Sequence, residues 1–248
     1  LSPDADEALY STIRSLGSEA PTEWARRVGQ SQADQLTIAQ TLSPVLPAEP
    51  SGEPIVQQME VAARLVNADL GFRVISTGYG DFDSHAGQAA MHTARMTELN
   101  DAIRRFFQVL DARWATRVTV ATFSEFGRTP HGSNDGTDHG SSGPQLVLGA
   151  NVRGGRHGER PSLAGLRRWD RMSTPVDLRD YYGSLIDGWL GGGGSTVVPG
   201  YTDDLQLFRN GPGQGSATVP PGTDTGGNGE LRQATRLNPG GSRAPDRG

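Results

Sequence analysis

The chain contains no cysteine and no lysine in 248 residues, and no apolar run reaches the roughly 20 residues that a membrane-spanning helix needs. Without cysteine there is no disulfide and no thiolate metal site, so any metal must be held by imidazole and carboxylate. That donor set points to zinc or manganese, with calcium and magnesium open, and away from iron–sulfur chemistry. The opening LSPDADEALY has neither the basic start nor the apolar stretch of a signal peptide, which leaves open a signal upstream of Leu1. The formal charge of -5 offers nucleic acid no electrostatic footprint, and every basic residue is arginine, which reflects genome composition as readily as anion binding.

What remains is enough for one lean domain with appendages. Residues 1–55 read as a polar, mainly helical segment, with Leu9, Ile13 and Leu16 on one helix face and the Pro-rich stretch 42–54 as its end. A second helix carries Val56, Met59, Ala63 and Val66. Buried strands are expected at FRVIST (72–77), RVTVATF (117–123) and QLVLGA (145–150), each followed by turn residues. Between the first two, His92, Met96, Leu99, Ile103, Phe106 and Leu110 recur at spacings of four and three. They predict a buried helical stripe and hence a right-handed βαβ unit. Thr174, Pro175 and Asp177 form a helix start, with Leu178, Tyr182, Leu185 and Trp189 as the buried face and Gly191 to Gly194 as the stop. From Gly211 on, 15 of 38 residues are glycine or proline, so 209–248 is expected to be a disordered tail behind an α/β domain at 56–208.

Four of the five histidines fall between His85 and His139, beside the strings GYGDFDSH (78–85), TFSEFGR (122–128) and GTDHGSSG (136–143). In a doubly wound sheet, loops at the carboxyl ends of strands line the ligand crevice. Asp81, Asp83 and His85 at alternate positions after the first strand suit a metal or an anion, although an Asp/Gly-rich turn with a solvated histidine has the same spacing. Glu125 and Arg128 after the second strand read either as a metal ligand and an anion clamp or as an ordinary salt bridge. Asp138 and His139 sit in a Gly/Ser-rich loop where packing supplies no reason for them. Three such clusters after consecutive strands should converge, which makes Asp83, His85, Glu125, Asp138 and His139 the expected metal ligands. His92 lies on the apolar stripe and is expected to be buried and hydrogen-bonded, close enough for an orienting role. His131 and His157 are expected to be solvated.

The strings DFDSHAGQ, VTVATFSEFGRT, GTDHGSSGPQLVLGANVRGG and TPVDLRDYYGSLIDGWLG together resemble the bacterial domain-of-unknown-function family 1501, of the alkaline phosphatase and sulfatase superfamily, over roughly residues 50–208. The resemblance implies helices sandwiching a mostly parallel sheet, and an exported or periplasmic setting. It also implies a centre of two metals roughly 4 Å apart that acts on a phosphate or sulfate ester, a small-molecule or anionic substrate. Asp83 and His85 resemble one metal position, Glu125 stands where relatives place an aspartate, and His139 resembles the histidine that completes the other position. Relatives begin with an apolar strand that supplies a further aspartate and, nearby, a serine, threonine or modified cysteine nucleophile. Here the first strand-like run is at residue 72, so the chain is expected to resemble the carboxyl-terminal part of the domain and to lack its first strand or strands. The rival expectation is a non-catalytic exported module whose cluster is structural or vestigial.

Overall fold

A computed structural model describes residues 8–12, 15, 19, 21–47, 52–132, 135–167, 169–209 and 236–237. The chain divides into two compact units, Leu1–Pro50 and Ser51–Gly248. The first holds helical residues 8–12 and helix α1 (Glu23–Leu42), which starts where the Thr22 hydroxyl accepts the Ala25 amide. Ile13 and Leu16 lie outside the described residues. Among the described residues, no helix is long and apolar enough to cross a membrane.

The second unit mixes helices with short strand pairs. Helix α2 (Pro54–Asn67) opens with proline at its first position, where the missing N–H costs nothing. It packs against α3 (Gln88–Val109) through a core of Ile55, Met59, Ala62, Ala63, Ala102, Phe106 and Leu110. Buried Glu60 accepts Arg64 from its own helix on one oxygen and Arg105 of α3 on the other, so a charged node bolts the two helices beside that core. The expected stripe of α3 is thus buried only toward its carboxyl end. His92 and Met96 are exposed, because the first turns of α3 run past the last layer of α2 contacts.

The three expected strands form only as two-residue pieces: β1 (Ser76–Thr77), β2 (Val120–Ala121) and β5 (Val147–Leu148). A hairpin that the sequence reading passed over, β3 (Gly127–Arg128) with β4 (His139–Gly140), lies between β2 and β5. A parallel neighbour needs a crossover of a dozen or more residues, usually a helix. The hairpin takes up that stretch instead, and β5 comes back antiparallel to β2. β1 pairs in parallel with β6 (Arg236–Leu237) and not with β2, so the βαβ unit is not closed by pairing among the described residues. The rest of the expected tail beyond Arg209 lies outside the described residues. The architecture is therefore α/β-like, with helices and small, largely antiparallel strand pairs.

β2 contributes Val120 to the α2–α3 core, and β5 contributes Val147 to a second core of Val152, Tyr181, Leu207 and Phe208. Helix α4 (Leu178–Leu185) supplies Tyr181, whose hydroxyl donates to Thr122 O at 2.7 Å. Its N-cap is Asp177 rather than Thr174: the carboxylate accepts the Arg179 amide at 2.8 Å and pairs with the Arg179 guanidinium. That partnership with Arg179 holds the Asp177 carboxyl down at about 2. The helix accordingly begins three residues later than the Thr-Pro signal suggests, leaving Leu178 exposed; after Leu185 it continues as a π-helical turn, Ile186–Leu190, that stops at Gly191 with a φ of 98°.

Candidate metal centre

The hairpin sets the site. In β3 and β4, Arg128 pairs in register with His139 and Gly127 with Gly140. Both glycines are required by close approach, since a β-carbon on either would collide with backbone of the facing segment. Buried Thr129 tightens the pair: its hydroxyl accepts the Asp138 amide at 3.0 Å, and its own amide donates to Asp138 O at 2.9 Å. The loop after β1 is joined to the tip of this hairpin by a bridge between Ala86 and Asp135, with the Gln88 amide donating to Asp135 O. Helix α3 anchors the same loop from the other side. Arg95 reaches Asp81 at 3.1 Å and Glu98 at 2.7 Å, while the Tyr79 hydroxyl donates to Glu98 at 2.6 Å. Burial, reinforced by that carboxylate, pushes the Tyr79 hydroxyl up to about 12. Asp81 turns the loop with a φ of 66°.

These ties bring Asp83, His85 and His139 together, one ligand atom from each lying within 4.8 Å of the others. His85 Nε2 lies 2.9 Å and His139 Nε2 2.6 Å from Asp83 Oδ1, and Arg128 Nη1 donates to that same oxygen at 3.0 Å. Hydrogen bonds from His139 first, and then Arg128, outweigh partial desolvation and hold the Asp83 carboxyl below its ordinary value. All three side chains are about half exposed, so the cluster opens to solvent. Asp138 stands behind it, with Oδ1 3.0 Å from His85 Nδ1. Phe126 stacks on the His139 ring, with centroids 4.1 Å apart and planes 5° from parallel.

The donor set fits a divalent metal. With Nδ1–H of His85 donating to Asp138, the Nε2 lone pair would face a carboxylate oxygen, and two acceptors at that distance need a proton or a metal cation between them. A histidine with one nitrogen on a carboxylate and the other turned to a metal is the usual arrangement of a metal ligand and its orienting partner. Asp138 Oδ2 is buried with no hydrogen-bond partner among the described residues.

Of the five expected ligands, the structure gathers Asp83, His85, His139 and, behind them, Asp138; exposed Glu125 is outside the group. Arg128 lies at the centre, but its donors are largely spent. Nε donates to Thr137 Oγ1, Nη1 to Asp83, and Nη2 to the carbonyl oxygens of Ser84 and Thr137. Phe126 and Thr137 were missed by sequence reasoning; their only signal is adjacency to the charged residues they hold. Exposed His92 touches Phe82 edge-on rather than the cluster. His131 is exposed, whereas His157 is half-buried and directs its two ring nitrogens at Leu205 O and Arg153 O, well away from the site's loops in sequence.

No curated protein and no solved structure matches the chain. The model of the family described as Protein of unknown function (DUF1501) matches residues 10–180, a span that takes in the N-terminal helices and all three motif strings, and the chain belongs to that family.

Proposed function

We propose that the chain is a metal-dependent hydrolase of phosphate or sulfate esters, and that its family stands in the alkaline phosphatase and sulfatase superfamily with the mostly parallel sheet which that placement implies. The observation that carries this reading is the meeting of Asp83, His85 and His139 at one solvent-open point beside Arg128. Bound there, zinc or manganese would neutralise ester oxygens and lower the pKa of a water toward neutrality. The chain's own residues do the rest. Asp83 and the two Nε2 atoms hold the ion, Asp138 fixes the His85 ring, and Phe126 fixes the His139 ring. Arg128 keeps four of its five N–H groups on protein acceptors and has one, on Nη1, left to offer an ester oxygen. The superfamily sheet would be completed by a further strand along residues 72–77 and 117–123, where Phe72 and Val74 are exposed at 42% and 52%.

A second reading rests on the same oxygen. Asp83 Oδ1 already receives two imidazoles and a guanidinium, so the cluster is satisfied as an ionic tie between two loops. That suits a non-catalytic, exported structural or binding module. Metal content by mass spectrometry and turnover of a phosphate and sulfate ester panel, with and without chelator, separate the two. Stoichiometric metal with chelator-sensitive turnover is expected. Metal without turnover selects the module, and protein that takes up no metal ends the hydrolase reading.

A further inference from the structure

Residues 153–171 carry six arginines against Glu159 and Asp170, a formal charge of +4 in a chain whose total is -5. Arginines elsewhere in the second unit are mostly engaged: Arg64, Arg95, Arg104, Arg105, Arg113, Arg128 and Arg179 have carboxylate partners, and Arg117 lies over Trp114. In the loop, Arg156, Arg160, Arg167 and Arg171 are exposed, and among the described residues no acceptor takes their guanidinium groups. Asp170 accepts the Arg167 backbone amide at 2.6 Å rather than a guanidinium.

The loop is held at its ends. Val152 bridges to Phe208, the Arg153 amide donates to Leu207 O, and the His157 ring meets Leu205 O. Gly158 lies so close to Val176 that a β-carbon there would collide with it. The far end is tied to the candidate metal centre: Ser141, two residues after His139, donates its hydroxyl to Met172 O at 3.0 Å, next to Arg171. Four exposed guanidinium groups on a pinned loop make a local positive field that attracts anions.

We propose that residues 153–172 form the recognition arm of the site, and that the substrate is a polyanion bearing several sulfate or phosphate groups. This deepens the ester-hydrolase reading and rests on it for the reacting group. Arginine forks match tetrahedral oxyanions two oxygens at a time. With Arg128 nearly spent inside the site, the further anionic groups of the substrate fall to the loop. Binding to dextran sulfate and to polyphosphate, measured by calorimetry on the full chain, tests this and tells the two oxyanions apart. Replacing Arg156, Arg160 and Arg171 with glutamine should weaken binding of at least one of them roughly tenfold to a hundredfold and flatten its salt dependence. Replacing Arg27, Arg104 and Arg113 removes the same charge elsewhere and should change it less than about threefold. Equal losses in the two triple variants, no binding of either polymer, or tighter binding of single-stranded DNA than of both would overturn the proposal. His139→Ala separates the two readings: its metal content reports on the metal centre and its polyanion binding on the loop, so either can fail alone.

Discussion

Two carboxylates in this molecule each gather several basic side chains, with opposite outcomes. Glu60 lies between α2 and α3 with 6% of its surface exposed, one oxygen on Arg64 and the other on Arg105. Asp83 lies at a loop end with its side chain 50% exposed and takes all three of its partners on a single oxygen. Glu60 shares its partners evenly, is closed in by core residues, and has nothing left to bind. Asp83 is crowded on one oxygen and faces water, with two imidazoles that would serve a metal equally well. The same ionic chemistry is thus a bolt where it is buried and a candidate binding site where it is open.

The largest effect is expected at the open node. His139→Ala removes one of three donors and should lower zinc or manganese affinity by about a hundredfold or more, while leaving the urea midpoint in chelator nearly unchanged. Isothermal titration and unfolding on the same protein would check both halves. The buried node should respond the other way. Glu60→Ala should cost about 2–3 kcal/mol in urea unfolding, less than a fully enclosed pair because both arginines can turn to water, and leave metal affinity intact.

Glu60 also carries a pH signature. The hydrogen bond from Arg64, with Arg105 behind it, outweighs desolvation and holds its carboxyl below the ordinary glutamate value. Its contribution is therefore full above the unfolded glutamate pKa and is lost as pH falls through the lower folded value. Wild type should lose stability more steeply than Glu60→Ala in that acid window, and parallel pH–stability curves would refute the assignment.

Asp138→Asn sharpens the contrast further, since asparagine can still accept from His85 but loses the charge that orients it; about a tenfold loss of metal affinity is expected. The smallest effect belongs to the exposed pair Glu23–Arg27, at 73% and 76% exposure, where Glu23→Ala should stay within about 0.5 kcal/mol.

The helices α2 and α3 were legible because a period of three and four places Met59, Ala63 and Phe106 on faces that one strong packing contact then buries. The chemistry of the site was legible too: aspartates and histidines in glycine-rich strings have no packing role, so their residue types alone announce it. Its assembly was not. The expected route ran through parallel strand ends, whereas Asp83 and His139 meet through an antiparallel hairpin and a bridge at its tip. Glu125, only three residues before Arg128, precedes the hairpin strand and is exposed, outside the cluster.

The sequence by itself determined the absence of thiol chemistry, the imidazole and carboxylate donor set, the helix faces and the arginine-rich loop, because composition and short-range periodicity are local properties of the chain. Only the tertiary structure decided which carboxylate became a bolt and which an open cluster, that Arg128 spends its donors inside the protein, and that Arg156, Arg160, Arg167 and Arg171 stay exposed. Those outcomes depend on burial and on partners up to 56 residues apart, as Asp83 and His139 are, and no local pattern encodes such a contact.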